Sequence, residues 1–294
     1  MRKVLFYTSS FWAYGSLHYG LIRRLYSRGI LANLLDWDKQ YQIEEMQQIC
    51  DAHDIVVTTS RHLSLVHNFG ISPDKIYVVV HGEIDFNDFR PDMNYGYAKV
   101  GVVANNIKVK AIDLGIQKDV HLLRCGVDFN YYKSKPATNL KSIGFASIYR
   151  RIENGVDIKR GELVEQIAKD CNLDFNKSKH YQYLSMPSFY RSSDCIIQSS
   201  TKETIGLPML EAACAGRLTI GSEIGYIHEF NHLRHGGIVV PTDEFGFVDK
   251  TKQVLDYYKK DSIAFHQRCK EIQEYARYNY DWEYFLDDWE AFLI

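Results

Sequence analysis

The chain has 294 residues, 46% of them hydrophobic and 24% charged, with a formal net charge of −2. That length suffices for two domains with their own cores, and a near-neutral balance, +2 up to residue 138 and −4 after it, lacks the basic excess of a nucleic-acid binder. Six cysteines, at 50, 125, 171, 195, 214 and 269, include no close pair, which excludes a zinc ribbon or CxxC redox site and leads us to expect buried free thiols in a reducing cytoplasm.

Lys3 to Thr8 is a continuous apolar run, too short for a signal peptide, and no segment approaches the 18 apolar residues of a membrane span. Gly15 then precedes Leu17, Leu21, Ile22 and Leu25 at helical spacing, which predicts a strand, a loop and an amphipathic helix. Gly29 closes that helix. Further strands are expected at 30–35, 54–59, 75–81, 99–104 and 120–123, with helical patterns between most of them, so an open, mostly parallel α/β sheet follows. Residues 128–138 carry no periodicity and contain Pro136, and the interdomain linker is expected there. A second αβ series has strands at 142–147, 195–198 and 218–221 and helices at 160–171 and 208–215. Trp282, Phe285, Trp289 and Phe292 form one helical face after a cap at Asn279 or Asp281. The expected domains are therefore 1–138, 139–278 and a terminal helix at 279–294, which either packs back on the first domain or stays on the second.

The stretch Lys202 to Gly221 carries the chemistry. Glu203 and Glu211 are separated by seven residues containing Gly206 and Pro208. Pro is favoured at a helix start, so Glu203 falls in the entry loop and Glu211 in the first turn. Free N–H groups of such a start, beside a glycine, form an anion site, and the two acids suit hydroxyls on either side of a diphosphate. A Glu near a helix start also occurs for stability alone.

Ser199 through Gly216, with Gly-Leu-Pro between the two acids and Gly236-Gly-Ile-Val-Val-Pro241 beyond, resembles the donor-binding half of the family 4 retaining glycosyltransferases. Arg124-Cys-Gly-Val-Asp128 is similar to the Asn-Gly-Val-Asp that often ends their first domain. The resemblance implies the GT-B fold, two Rossmann-like domains facing a cleft, and hexosyl transfer from a nucleotide-sugar donor to a glycan or small hydroxyl acceptor. It implies Glu203 on sugar hydroxyls, Glu211 on ribose hydroxyls, and Thr204, Ile205, Gly206 and Leu207 around sugar and phosphate. Lys159 would be the first cation on the leaving diphosphate and Arg150 or Arg151, undecided, the second. Gly15 would approach the donor phosphates, and His81 would contact the transferred sugar or acceptor.

The sequence departs from the family where Ala146-Ser147 replaces its Gly-Arg and where Ile152 to Val156 is inserted before Lys159. No metal or other cofactor is expected: Asp36-Trp37-Asp38 reads as a loop, and no His, Cys and carboxylate set has metal-ligand spacing. Arg23, Arg24 and Arg28 on the first helix leave attachment to a membrane surface open but not favoured. A nucleotide-sugar-binding sensor without turnover and a GT-B nucleotide-sugar epimerase are the competing classes.

Overall fold

The apolar runs of the first 125 residues form six parallel strands in the computed structural model, which describes residues 1–9, 12–59, 61–89, 94–178, 183–225 and 235–294. The strands are β1 (Arg2–Thr8), β2 (Ile30–Asp36), β3 (Ile55–Thr58), β4 (Ile76–Val80), β5 (Lys99–Val102) and β6 (Val120–Leu122), ordered β2-β1-β3-β4-β5-β6. Helices α1 (Trp12–Leu25), α2 (Ile43–Asp51), α3 (His62–Phe69) and α4 (Asn105–Asp113) follow β1, β2, β3 and β5. Every residue of β3 and β4 is buried, as expected of a parallel sheet covered on both faces. Gly15, expected in a loop, lies inside α1 because the helix begins as early as Trp12.

This unit comprises Met1–Gly126 and the terminal segment Trp282–Ile294. The terminal segment is a 3-10 turn, Trp282–Tyr284, and a helix, Leu286–Leu293. Trp282, Phe285, Trp289 and Phe292 are all at most 5% exposed, so the apolar spacing holds across the break between the two pieces. Neither expected cap serves: Asn279 belongs to the preceding helix, and Phe285 begins the last one without a side-chain cap. Two glycines make room for Trp282. A Cβ on Gly20 would lie 2.3 Å from its Nε1, and one on Gly126 would lie 2.6 Å from its Cα. Arg24 pairs with Glu283 at 3.3 Å, and Arg28 with Asp287 and Glu290 at 2.8 and 3.1 Å. These two arginines thus bind the unit's own terminal segment.

The second unit is Val127–Asp281. The division falls before the segment expected as a linker, because that segment is packed: Asp128 caps the short helix α5 (Phe129–Tyr132), Tyr132 is 1% exposed, and Ala137 N–H donates to the Gly216 carbonyl. Its sheet contains β7 (Ser142–Phe145), β10 (Asp174–Lys177), β11 (Cys195–Gln198), β12 (Leu218–Ser222) and β13 (Ile238–Val240), all parallel in the order β10-β7-β11-β12-β13. The expected insertion is an antiparallel hairpin, β8 (Ile152–Glu153) and β9 (Val156–Asp157). Helices α6 (Gly161–Asp170), α7 (Met186–Arg191), α8 (Leu207–Cys214), α9 (Glu244–Lys260) and α10 (Ser262–Asn279) complete it. β10, Asp-Phe-Asn-Lys, is an edge strand with no buried residue, and therefore carries little hydrophobic signal. Both units have the alternating, Rossmann-like arrangement.

Candidate functional site

In an open α/β sheet, ligands bind beyond the carboxyl ends of the strands where the strand order reverses. In the second unit that point lies between β7 and β11, which pair directly while β10 and β12 extend to opposite sides. Two loops leave these strands there, 146–160 before α6 and 199–206 before α8. Their backbones are stitched together. The Ser199 hydroxyl is shared between the carbonyls of Lys159 (2.7 Å) and Arg160 (3.0 Å), while Arg160 Nε donates to the Ser199 carbonyl at 2.5 Å. Thr201 N–H donates to the Ile158 carbonyl.

The stitching brings Lys159 to Glu203. Lys159 Nζ pairs with Glu203 Oε1, with side-chain exposures of 9% and 19%, and the Ser200 hydroxyl donates to the same oxygen at 2.8 Å. A buried ammonium and carboxylate are tolerated only when paired, so these two residues, 44 positions apart, define one polar centre. Gly206 adopts φ +70° and caps α8, which begins at Leu207, one residue before the expected start. A Cβ on Gly206 would lie 2.9 Å from Gln198 Oε1. The N–H groups of Thr204, Ile205 and Gly206 have no acceptor among the described residues, leaving them available to an anion.

Glu211 is placed differently from the expectation. It is 3% exposed, and its two oxygens accept from Tyr132 Oη (2.9 Å) and Tyr190 Oη (2.6 Å). Burial, and then the charge of Glu211, push the Tyr190 phenol well above its ordinary pKa. The two arginines also separate: Arg151 bonds to Glu153 at 2.8 Å, whereas Arg150 is exposed and has no ion-pair or hydrogen-bond partner among the described residues. Arg160, not singled out in the sequence, is 9% exposed and also donates to the Thr242 carbonyl at 2.9 Å. It holds backbone. A mainly apolar cleft lined by Gln198, Ile205, Gly206, Met209, Ile224 and Tyr280 among others opens beside α8; Lys159 and Glu203 do not line it.

In the first unit, His81 follows β4 and is 8% exposed, its N–H donating to Asp85 Oδ2 at 2.7 Å. Its ring lies edge-on to Tyr14 (5.1 Å) and to His18 (5.7 Å). Neither histidine has a partner for its ring nitrogens among the described residues. Burial lowers the His18 pKa to about 3, and burial followed by His18 lowers that of His81 well below the ordinary value. Gly15 is buried three residues before His18 on α1. The spacing of Tyr14 and His18, one helical turn apart, was the sequence signal for this contact. Asp36 and Asp38 are engaged with the Asp38 N–H and the Ser9 hydroxyl. Among the described residues no group of three or more His, Cys, Asp or Glu could hold a metal ion, and no helix is long and apolar enough to cross a membrane.

Residues 155–257 match the family model described as Glycosyl transferases group 1. No curated protein matches the chain in sequence. Among solved structures, the Anabaena protein HepE in complex with UDP-glucose superposes with a TM-score of 0.71 at 13% identity, covering 99% of this chain and 98% of that one. Sucrose-phosphate synthase from Thermosynechococcus elongatus gives 0.69 at 10% identity, with 99% and 98% covered. The catalytic domain of starch synthase IV from Arabidopsis thaliana, bound to ADP and acarbose, gives 0.66 at 13% identity, also with 99% and 98% covered. The chain has the GT-B fold of these proteins, and the match to the group 1 glycosyltransferase model falls within its second unit.

Proposed function

We propose that this protein is a retaining, metal-independent glycosyltransferase that moves a sugar from a nucleotide-sugar donor to a hydroxyl acceptor, a glycan or small molecule, in the cytoplasm. The observation that carries the reading is the Lys159–Glu203 pair at the strand-order reversal of the second unit, beside the unoccupied N–H groups before α8. When a donor enters, Lys159 exchanges Glu203 for the diphosphate, and Arg150 supplies the second cation. Glu203, released from the pair, accepts hydrogen bonds from hydroxyls of the sugar. Cations and fixed N–H groups aimed at the leaving phosphates stabilise the charge that develops as the bond from the anomeric carbon to the phosphate oxygen breaks. The acceptor oxygen forms the new bond on the same face, and its proton passes to the leaving phosphate oxygen. Six buried free cysteines agree with a reducing compartment.

One observation favours a second reading, a nucleotide-sugar-binding module without turnover: both oxygens of Glu211 are already taken by tyrosines, so a ribose must share or displace them. Nucleotide release across a panel of nucleotide sugars, followed by mass spectrometry for wild type, Glu203→Ala and Glu211→Ala, separates the readings. Turnover of one donor, lost in Glu203→Ala, supports the enzyme; glutamate-dependent binding without turnover, with acceptors supplied, supports the module. Absence of any donor binding refutes both.

A further inference from the structure

The insertion that separates the two arginines from Lys159 is closed by one carboxylate. Asp157 Oδ1 accepts the N–H of Arg151 at 2.9 Å and the N–H of Lys159 at 3.0 Å. The Asp157–Lys159 bond is an Asx turn. Between the tied ends, the hairpin has two-residue strands and a tight turn at Asn154-Gly155, both at positive φ (50° and 81°), the preferred chemistry of a two-residue hairpin loop. So small a hairpin is marginal by itself, and packing adds little, since Ile152 and Val156 are 50% and 58% exposed.

We infer that Asp157 is the positioning residue for Lys159: its carboxylate, closing the hairpin on two backbone N–H groups, fixes the turn from which the Lys159 ammonium reaches Glu203. The inference rests on the glycosyltransferase reading for its consequence in turnover, though not for the geometry itself. A lysine side chain has four rotatable bonds and substantial rotamer entropy, so the position of Nζ is only as defined as the backbone beneath it. Ser199 anchors the Lys159 carbonyl from one side, and Asp157 anchors its N–H from the other. Charge-assisted bonds of this kind are about twice as strong as neutral ones, and opposing burial they hold the Asp157 carboxyl below its ordinary pKa. The hairpin also reaches the second loop through Glu153, which pairs with Arg151 and, at 3.8 Å, with Lys202 next to Glu203.

The test uses the full-length protein and the variants Asp157→Ala, Asp157→Ser and Asp157→Asn. Competitive acetylation, read by peptide mass spectrometry, reports whether Lys159 stays in its pair. Protection is expected in the order Asp, Asn, Ser, Ala, because Asn retains an amide oxygen and Ser makes a weaker turn, with Lys159 about tenfold more reactive in Asp157→Ala, the effect of losing roughly one charge-assisted bond. If Asp157→Ala fails to fold, the order among the other three decides. For the donor that wild type turns over, Asp157→Ala is expected to lose about tenfold in kcat at nearly constant KM, with recovery in Asp157→Asn. Unchanged Lys159 reactivity in Asp157→Ala and Asp157→Ser overturns the inference, as does equal loss of kcat, donor affinity and thermal midpoint in Ala and Asn, the mark of a general structural role. A wild type inert toward every donor refutes the glycosyltransferase reading while the acetylation order still decides the role of Asp157.

Discussion

Replacing Lys159 by alanine removes one preorganised cation and leaves Glu203 without its ion-pair partner. Two effects of different size follow. For turnover, loss of one charge-stabilising group costs roughly 10²- to 10³-fold in kcat, about 2.7–4 kcal/mol. For stability, breaking a fully buried pair costs about 3–5 kcal/mol, but Glu203 is 19% exposed and keeps the Ser200 hydroxyl, so about 1–3 kcal/mol is expected. In a unit of this size that lowers the thermal midpoint by roughly 2–4 °C per kcal/mol. The double variant Lys159→Met/Glu203→Gln separates the two effects. Replacing both charges by neutral groups of similar size recovers most of the lost stability and none of the turnover. Nucleotide release from the preferred donor, with thermal melts of wild type, Lys159→Ala and the double variant, measures both. Full kcat in Lys159→Ala, with donor binding intact, removes the residue from the chemistry; a double variant no more stable than Lys159→Ala refutes the buried-pair account.

Glu211→Ala strands the hydroxyls of Tyr132 and Tyr190, 1% and 0% exposed, and is expected to cost about 2–5 kcal/mol, with Glu211→Gln losing less. Urea denaturation checks this, and a loss under about 0.5 kcal/mol, the range of an ordinary surface substitution, would contradict the placement of Glu211. The two buried histidines give a signed pH dependence. Their folded pKa values lie below 6.5, to about 3 for His18, so as pH falls below 6.5 the unfolded chain takes up protons that the folded one refuses. Stability of the first unit therefore declines with acidification, by up to about 1.4 kcal/mol per pH unit for each imidazole. His18→Phe should flatten the dependence of the urea midpoint on pH between 6.5 and 4, and an unaltered slope would show that His18 protonates in the folded state. Gly161→Ala places a Cβ 2.4 Å from the Tyr149 carbonyl oxygen, a backbone atom that cannot rotate away. Displacement of the Lys159 turn and lower kcat are expected, while wild-type turnover and melting would show that the turn yields freely.

Local chemistry was legible in the sequence. Continuous apolar runs set most of the strands, Gly206 and Pro208 marked the start of α8 to within one residue, and the spacing of Glu203 and Glu211 drew notice to the loop before it, because strand propensity, positive φ and helix initiation depend on neighbouring residues. Partnership was not legible. Glu203 meets Lys159 across 44 positions and Glu211 meets Tyr132 across 79, and one acid remained partly open while the other was buried between two phenols. Nothing in their shared surroundings of small and apolar residues distinguished them; the burial of each is decided by which loops pack over it. The polar edge strand β10 and the hairpin at Asn154-Gly155 escaped for a related reason, since neither buries enough apolar surface to impose a period on the chain. Local sequence alone accounts for the two αβ series and for the glycine-capped helix start at Gly206. Only the tertiary structure decided that Arg151 is tied to Glu153 while Arg150 is unpaired among the described residues, and that Lys159 stands opposite Glu203, because long-range pairing follows from how the loops at the β7–β11 reversal are stitched together.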